Sequence, residues 1–569
     1  MKAYPVRPEA PKHFHDALPG IPEMARNLLF ARGVGDPASA AAFVSPDYEA
    51  HSHDPFLMKD MEKAAGRIWK ALKEGEKIAV FSDYDADGIP GAVIMNDFLK
   101  KIGVRDFEIY IPHRHSEGFG LSVAAIDALK SRGASLLVTV DCGIADVEEV
   151  AHAQKAGIDV IVTDHHLPPE ALPPAFAILD PKQPGCGYPE KMLCGSGVAF
   201  KLVQAFLRKY GEELGVQAGW EKWLLDMVGI ATLSDMVPLT GENRVLAQYG
   251  LKVLKKTRRE GLLALFSRQR MKRDHISEDD VGFTISPRIN AASRMGVARD
   301  AFTLLATTDE AEALKYADHL DHINNERKGT VAALVKEIRK ILSERDDASR
   351  SVLVVGNPHW KPALLGLAAS SFSGELGKPV FVWGKDADGT IKGSCRSDGT
   401  VSVVEIMRRA PQIFIEFGGH AASGGFSVVP SEVHFLEEKL SAAFESLAAE
   451  PAAKDERLYD GALRVDDVNW DLFKAIDLLA PFGTGNEKPL FIFPHAQIYE
   501  VKSFGKEKNH TEVLLRNSAG RSISAIAFFK RPEDWDGLAA GAAKDIVAHL
   551  EKSTFKTYPE LRLRIVDIL

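Results

Sequence analysis

Three aspartates at alternate positions follow a short apolar segment early in the chain. The segment Lys77–Gly88 reads KIAVFSDYDADG, and its acids are Asp83, Asp85 and Asp87. Carboxylates this close in sequence repel one another at neutral pH, and magnesium or manganese offsets the repulsion because these cations prefer carboxylate oxygen. A metal site is therefore one interpretation of this stretch, and a solvated acidic turn after a strand is the other.

Acids and histidines also follow two later apolar segments. After Ser135–Val140 and after Asp159–Thr163, the residues with ligating side chains are Asp141, Asp164, His165 and His166. Aspartate is a good helix N-cap, which explains part of Asp141 and of a further strand-end acid, Asp180. Capping does not explain two adjacent histidines beside carboxylates. Mixed nitrogen and oxygen ligation predicts a metal site and favours manganese over magnesium.

The elements that must position these side chains alternate between strand and helix. Helices are predicted between the first four strands, and the strands themselves are predicted over Ile78–Phe81, Phe107–Pro112, Ser135–Val140, Asp159–Thr163 and Phe176–Leu179. Such alternation indicates right-handed βαβ units and a parallel sheet. The carboxyl ends of the strands then meet at one edge, where open α/β sheets bind their ligands.

A further acid, Asp235, follows a predicted amphipathic helix over Trp220–Leu233. An acid at a helix carboxyl end interacts unfavourably with the helix dipole, so we interpret Asp235 as another metal ligand. The number of carboxylates is sufficient for two cations. A two-metal site activates water and stabilises the leaving oxygen in phosphoryl transfer.

Composition limits the alternatives. The chain has 569 residues, is 45% hydrophobic and 26% charged, and is long enough for about three or four domains. Its four cysteines form no CxxC pair, and no segment resembles a signal peptide or a spanning helix, so we expect a cytoplasmic protein without a membrane partner. The net charge of −9 argues against coating by nucleic acid but allows a locally basic groove.

Ordered motifs along the chain carry a resemblance to a known family. The motifs are DYDADG, DCG, DHH, SDMVPL, SPRINAASR, GSCRS, GGHAASGG and PFGTGNEKPLF. This set resembles the RecJ-type single-strand-specific exonucleases of the DHH phosphoesterase superfamily, from about residue 50 onward. The resemblance implies that the metal ligands are Asp85, Asp87, Asp141, His165 and Asp235. Some relatives carry a histidine where this chain has Phe81, and Asp83 is the candidate replacement for that ligand.

The resemblance also implies roles for residues outside the metal site. His166 is expected to donate a hydrogen bond or to position substrate. The expected substrate-binding residues are Arg288, Asn290, Arg294, Ser394, Arg396, Ser397, Gly419 and His420. Guanidinium groups match phosphate with a bidentate fork, which makes the three arginines candidate phosphate clamps. The glycine-rich segments Gly393–Ser397 and Gly418–Gly425 are predicted to be loops facing the first lobe, and a tight turn without substrate contact is the alternative for GGHAASGG.

The predicted architecture is α/β, with a parallel-sheet catalytic lobe, a long connecting helix, a second α/β lobe and an OB-like β-barrel. Two helices broken near Gly329 are the alternative to one long helix. Lysines and aromatics interleave in Tyr499–Lys508 and Lys552–Tyr558, as in single-strand binders with an OB-fold, although a barrel core with surface lysines explains the pattern equally. The predicted divisions are a lead-in at 1–50, a DHH catalytic domain at 51–307, a connecting helix at 308–345, a DHH-associated substrate-binding domain at 346–455 and an OB-like domain at 456–569.

The function that follows is a manganese- or magnesium-dependent exonuclease. The resemblance implies 5′-to-3′ hydrolysis of single-stranded DNA to mononucleotides in repair and recombination, with helicase and single-strand-binding protein as possible partners. A phosphoesterase acting on small substrates such as oligonucleotides or cyclic dinucleotides is one alternative, but it would not need the barrel. A non-catalytic single-strand-binding scaffold is the other, but it would be expected to have lost its metal acids.

Overall fold

The computed structural model contains three lobes, each built on its own sheet. It describes residues 4–345, 350–386, 389–397, 399, 401–447, 458–505, 507–554 and 558–569, except the side chain at position 420. The predicted boundaries at 345/346 and 455/456 adjoin or lie in segments outside this range. The domain boundaries therefore stay predictions.

The first lobe is organised around a five-stranded parallel sheet with strand order β2-β1-β3-β4-β5. Its strands are β1 (Lys77–Ser82), β2 (Phe107–Tyr110), β3 (Ala134–Val140), β4 (Asp159–Thr163) and β5 (Ala177–Leu179). The apolar side chains of β1, β3 and β4 are almost fully buried, as expected for strands covered on both faces. All five carboxyl ends lie at the same edge of the sheet.

Three helices, α1 (Lys12–Ala17), α2 (Glu23–Ala31) and α3 (Pro37–Val44), precede this lobe in the chain. The helices that cover its sheet and extend it are α4 (Tyr48–His51), α5 (Met61–Glu74), α6 (Gly88–Lys101), α7 (Val123–Ser131), α8 (Val147–Lys155), α9 (Gly195–Tyr210), α10 (Leu225–Ser234), α11 (Gly241–Leu254), α12 (Glu260–Arg268), α13 (Glu278–Asp280), α14 (Ser286–Met295) and α15 (Arg299–Ala306). The glycines at the α10–α11 crossing, Gly229 and Gly250, let the two helices approach closely, because a Cβ on Gly229 would lie 2.7 Å from the Gly250 Cα.

One helix, α16 (Glu310–Ser343), connects the first two lobes. It is continuous for 34 residues, so the alternative of a break near Gly329 is wrong. At 1.5 Å per residue it is about 50 Å long. Its first half packs on α12 and α14, and Leu334 and Ile338 in its second half join the core of the second lobe.

The second lobe has a mixed sheet with strand order β6-β7-β8-β10-β9. Its elements are β6 (Leu353–Gly356), α17 (Pro362–Leu376), β7 (Val380–Lys385), β8 (Ile391–Arg396), α18 (Val403–Arg409), β9 (Phe414–His420), β10 (Ser423–Val428) and α19 (Leu436–Leu447). The prediction of loops over the two glycine-rich segments is wrong. They lie mostly in strands β8, β9 and β10, whose backbone pairing compensates for glycine's low strand propensity.

The third lobe is a barrel. Its elements are β11 (Gly461–Ala462), α20 (Trp470–Asp477), β12 (Phe491–Phe504), β13 (His510–Arg516), β14 (Ser522–Ala527), β15 (Ala543–Ser553) and β16 (Glu560–Ile568). The order β11-β12-β13-β14-β16-β15 is closed by pairing of β12 with β15. The predicted basic and aromatic stretch over 552–558 lies partly outside the described residues.

The first helices belong structurally to the barrel, and are more than the lead-in that was predicted. Phe14, Leu28 and Leu29 share one hydrophobic core with Phe491 and Phe493 of the barrel. The helices at 12–44 and the barrel strands therefore share one hydrophobic core. Burial of these side chains depends on tertiary contacts, which the local sequence pattern does not indicate.

A buried arginine joins this unit to the catalytic lobe. Arg244 on α11 donates to the carbonyl oxygens of Phe43, at 2.6 Å, and Ala480, at 3.0 Å. Its guanidinium also lies 3.8 Å from the centroid of the Phe43 ring. Arg244 is thus one of the contacts that hold the barrel and the first helices against the first lobe.

Candidate active site

The loop after β1 carries the alternating acids into the carboxyl edge of the sheet. Asp87 accepts backbone hydrogen bonds from Gly195, at 2.7 Å, and Ser196, at 2.8 Å, at the start of α9. Asp85 Oδ1 accepts from the amides of Asp87 and Gly88. Asp85 Oδ2 takes no part in these bonds, and each oxygen of Asp87 accepts one amide and keeps a lone pair for a cation. Burial, then the charge of Asp85, raises the pKa of Asp87 to about 6.

Asp141 directly follows β3 and adopts the left-handed conformation, with φ of 62°. A non-glycine residue in this region is strained unless its surroundings hold it there, and such strain is common at functional sites. Gly195 allows the close approach of α9, because a Cβ there would lie 2.5 Å from the Asp141 Oδ1. Burial, then the charges of Asp87 and Asp85, raises the pKa of Asp141 well above its ordinary value.

The two histidines after β4 have different protonation states. Burial, then the charge of His166, lowers the pKa of His165 to about 3, so its ring is neutral and able to coordinate a metal. Burial opposes protonation of His166, but the hydrogen bond between its Nδ1 and Asp164 Oδ1, at 2.7 Å, raises its pKa to about 9. His166 is therefore an imidazolium at neutral pH, suited to contact phosphate.

Asp164 organises both histidines. Its Oδ1 accepts from the His165 amide at 2.7 Å and its Oδ2 from the Ile144 amide at 2.9 Å. Sequence reasoning noted this acid at a strand end but assigned it no role. The sequence could have indicated a role for Asp164, because this residue directly follows a predicted strand, as Asp141 does.

Asp235 reaches the same site from the end of α10. Its Oδ2 lies 3.7 Å from His165 Nδ1, while His165 Nε2 lies 3.2 Å from Asp141 Oδ1 and 3.9 Å from Asp87 Oδ2. Burial, followed by the charges of Asp87 and Asp85, raises the pKa of Asp235 to about 8. Carboxylates that follow two strands, β1 and β3, and one helix, α10, thus surround one imidazole.

These residues fit a divalent metal centre. Ligating atoms within 4.8 Å of one another occur in three groups, which are Asp83 with Asp85 and Asp141, Asp87 with His165 and Asp235, and Asp141 with His165 and His166. No donor from the described part of the chain is aligned with Asp83 Oδ1 or Asp141 Oδ1, although both atoms are buried. Buried, unpartnered carboxylate oxygens are costly, and a cation between them would remove that cost.

Phe81 does not take part in this cluster. Its ring is buried and stacks on Tyr110, with ring centroids 5.3 Å apart. Asp83 instead lies with Asp85 and Asp141, as required of the candidate replacement ligand. Its role as a ligand stays a prediction.

Two of the predicted phosphate clamps meet between the lobes. Arg294 Nη1 donates to the Ala363 carbonyl oxygen, at 2.8 Å, in the first turn of α17. Arg396 Nε donates to Ser370 Oγ, at 3.1 Å, one to two turns further along the same helix. Burial, then the charge of Arg114, lowers the pKa of Arg294 to about 10, whereas the charge of Asp85 raises it. These cations therefore lie near one another and near the metal acids.

Arg114 is a member of this cluster that sequence reasoning missed. It lies in the loop between β2 and α7, 4.9 Å from the Tyr84 ring. Burial, then the charge of Asp85, raises the pKa of Asp83, and the charge of Arg114 opposes that rise. Nothing in the local sequence distinguishes it from a surface arginine. Only the fold brings its loop to the edge of the sheet.

Arg288, the third predicted phosphate clamp, makes its contacts within the protein, and its binding of phosphate stays a prediction. This side chain is buried, and its guanidinium donates to Asp321 Oδ1, at 2.8 Å, and to the Thr284 carbonyl oxygen, at 2.7 Å. A third acceptor is Gln269. Arg288 therefore joins α14 to α16, and its donors are used within the protein instead of on phosphate.

Three more of the predicted substrate-binding residues lie on opposite sides of the cleft, Asn290 in the first lobe and Ser394 and Ser397 in the second. Asn290 Oδ1 accepts from the Ala86 amide at 3.0 Å, so it supports the acidic loop. Ser394 lies on β8 two residues before Arg396 and therefore on the same face of the strand, whereas Ser397 follows the strand and accepts from the Gly399 amide.

Gly419 and His420 end β9. Gly419 has φ of 137°, and a Cβ there would lie 2.4 Å from the Ser423 carbonyl oxygen, so only glycine fits. The side chain at position 420 lies outside the described residues.

The fold and the site define a phosphoesterase of the DHH type. Residues 77–232 match the DHH family, N-terminal domain, residues 349–447 match the DHHA1 domain, and residues 459–567 match the RecJ OB domain. The chain belongs to the RecJ family of single-stranded-DNA-specific exonucleases.

Individual relatives support this assignment. The chain is 34% identical over 548 residues to "Single-stranded-DNA-specific exonuclease RecJ" of Bacillus subtilis, covering 96% of this chain and 68% of the relative. The Haemophilus influenzae protein of the same name is 31% identical, with 91% of each chain covered. The crystal structure of RecJ in complex with Mn2+ from Thermus thermophilus superimposes with a TM-score of 0.82 at 27% identity, covering 100% of this chain and 79% of that chain. One structure of that protein contains Mn2+ and a second contains Mg2+, so the prediction of these two cations is confirmed at the level of the family.

In the described part of the chain, none of the helices combines the length and apolarity needed to cross a bilayer.

Proposed function

We propose that this chain is a metal-dependent exonuclease that removes mononucleotides from the 5′ end of single-stranded DNA, in repair and recombination. The observation that carries the proposal is the position of the arginine cluster. Arg114, Arg294 and Arg396 come from three separate elements and gather near Asp85 and the other metal acids, between the two lobes. Such a cluster suits a terminal phosphate beside a scissile phosphodiester.

The metal acids would hold the cations. Asp85, Asp87, Asp141, His165 and Asp235 are the proposed ligands, with Asp83 as the replacement for the position of Phe81. Divalent metal supplies acidified water and charge neutralisation at phosphate when it is bound. His166, as an imidazolium beside Asp83 and Asp235, can donate a hydrogen bond to a phosphate oxygen.

We assign recognition of the 5′ end of the DNA strand to Arg114, Arg294 and Arg396. A 5′-phosphate carries more negative charge than an internal phosphodiester, so it gains more from several guanidinium groups. Ser394 lies on the same face of β8 as Arg396 and can add a hydroxyl donor. Arg294 reaches the second lobe directly, so substrate held by Arg294 and Arg396 contacts both lobes.

The test is the preference for 5′-phosphorylated over 5′-hydroxyl single strands. Arg396→Ala is expected to reduce this preference roughly tenfold, which corresponds to about 1.4 kcal/mol. Arg408→Ala is the matched control, because Arg408 is an exposed arginine of the same lobe that pairs with Glu405. Both variants are compared with the parent protein at fixed salt, since phosphate contacts are screened. An unchanged ratio with a lower overall rate would make Arg396 a general backbone clamp.

Two further assignments belong to this proposal. A helicase and a single-strand-binding protein are proposed partners, since an exonuclease for single strands needs strands that are opened and kept open. The cytoplasm is the proposed compartment, which agrees with four free cysteines in the described structure.

A further inference from the structure

Three large apolar side chains are exposed around the metal site. Phe119 is 52% exposed, Leu167 is 72% exposed and Met236 is 70% exposed. Leu167 directly follows His166, and Met236 directly follows Asp235. The Phe119 ring lies edge-on to the ring of His166, with centroids 5.6 Å apart. Exposed apolar side chains that are scattered singly are normal, whereas a group of them beside one site is typical of a ligand-binding surface.

The loop that presents Phe119 is well defined by its hydrogen bonds. Phe119 lies between Gly118 and Gly120, which have φ of 83° and 82°. Glu117 accepts from the His113 amide at 2.7 Å, and Asp146 accepts from the Leu121 amide at 2.8 Å. The exposure of Phe119 therefore results from a built turn.

The position of Met236 is also imposed by the fold. Its backbone is left-handed, with φ of 59°, which is unfavourable for a residue with a long side chain. This turn places the side chain outward immediately after the predicted ligand Asp235. The Leu239 amide, three residues later, donates to the Thr484 carbonyl oxygen at 2.7 Å, which ties the segment to the barrel lobe.

The same loop offers a cation and an aromatic ring. Arg114, which acts on Asp83, lies five residues before Phe119. A nucleotide carries a phosphate and a flat base close together. A guanidinium group can bind the phosphate, and an aromatic ring can stack on the base. Stacking on aromatic side chains tolerates any base, because every base has a π-face.

We propose that Phe119, Leu167 and Met236 form an apolar rim that holds the base of the nucleotide being removed. The inference rests on the proposed function and adds a specificity determinant to it. The rim grips the terminal nucleotide without reading its identity, so a strand of any sequence is processed. An abasic terminal nucleotide has no base to place there and is a poor substrate.

The experiment compares two 5′-phosphorylated single strands that differ only in the terminal nucleotide. One carries an ordinary nucleotide and the other a tetrahydrofuran abasic residue, and kcat/KM for release of the first nucleotide is measured with manganese. The parent protein should prefer the ordinary strand at least tenfold. Phe119→Ala should bring the ratio close to one, Leu167→Ala and Met236→Ala should each lower it about threefold, and Phe119→Trp should retain it.

Leu376→Ala is the matched control and should leave the ratio unchanged. Leu376 is also an exposed apolar residue, but it ends α17, about 9 Å along the helix axis beyond Ser370. Equal slowing of both strands by Phe119→Ala, or a parent protein that hydrolyses both strands equally, would overturn the inference. Failure of the parent protein to hydrolyse the ordinary strand would instead overturn the proposed function.

Discussion

Replacing Asp141 by asparagine should abolish hydrolysis and stabilise the metal-free protein. The ligating atoms of Asp83, Asp85 and Asp141 lie within 4.8 Å of one another. At this distance and an effective dielectric constant of about 20, two full charges repel by about 3 kcal/mol. Protonation relieves part of this repulsion, because the pKa values of Asp83 and Asp141 are raised. We therefore expect Asp141→Asn to stabilise the metal-free protein by about 2 kcal/mol.

Asparagine is the appropriate replacement for a structural reason. It tolerates the left-handed conformation that Asp141 adopts, and its amide has nearly the shape of the carboxylate. Asp141→Ala removes the same charge but adds backbone strain, so its stabilisation should be smaller. The difference between the two variants separates electrostatic repulsion from conformational strain.

The pH dependence of stability has a definite sign. An acid whose pKa is raised on folding lowers stability as the pH rises from its unfolded pKa, about 4, to its folded pKa. The folded pKa values of about 6 for Asp87 and about 8 for Asp235 place this loss between pH 4 and pH 8. The metal-free parent protein should become less stable across this window, and Asp141→Asn should flatten the slope.

The assay is thermal and urea unfolding of chelator-treated protein, followed by titration with manganese. Because the protein has several lobes, the transition of the first lobe is followed through hydrogen exchange of the amides in β1 and β3. Manganese should stabilise the parent protein and have little effect on Asp141→Asn. A metal-free Asp141→Asn protein less stable than its parent by 1 kcal/mol or more would refute the reasoning, as would near-native turnover by the variant.

Three other predictions follow from contacts in the first lobe and the barrel. Gly195→Ala should lower manganese affinity at least tenfold without changing any charge, because the added Cβ would lie 2.5 Å from Asp141 Oδ1. Isothermal titration with manganese would measure the affinity, and Gly282→Ala, where an added Cβ meets nothing within 4 Å, is the control. Arg288→Ala should destabilise the protein by about 1.5–3 kcal/mol in urea unfolding, because Asp321 loses one charged partner but keeps Arg268 and Gln269. Unchanged stability with weaker DNA binding would instead support the clamp hypothesis. A chain ending near residue 456 keeps the metal acids but lacks the barrel, so it should cleave short oligonucleotides and bind long strands poorly. Because that cut would expose Phe14, Leu28 and Leu29, only a chain that also lacks residues 1–44 should stay monodisperse in light scattering and allow the comparison.

The metal-site geometry was largely predictable because it depends on a simple regularity. Parallel strands buried on both faces appear as continuous apolar segments, and their carboxyl ends share one edge. The sequence alone therefore predicts that Asp85, Asp141 and His165 lie close together. The neutral state of His165 and the charged state of His166 could not, because burial and the Asp164 hydrogen bond decide them.

Other features depend on tertiary contacts that have no local signal. Arg288 and Arg294 belong to one motif and one helix, yet one is committed to Asp321 and the other reaches α17. The glycines around Gly419 suggested a loop, whereas pairing between β9 and β10 makes a hairpin that requires glycine at that position. The helices at the start of the chain find their core in residues more than 400 positions away.

The most direct test of the proposed activity is a first-turnover assay on one single strand labelled at its 5′ or its 3′ end. The account predicts that, with manganese, the 5′ label is released at once as a mononucleotide, whereas the 3′-labelled strand shortens one nucleotide at a time. Chelator, a blunt duplex and Asp141→Asn should each prevent release. Internal cleavage, immediate release of the 3′ label, or hydrolysis that persists in chelator would contradict the account.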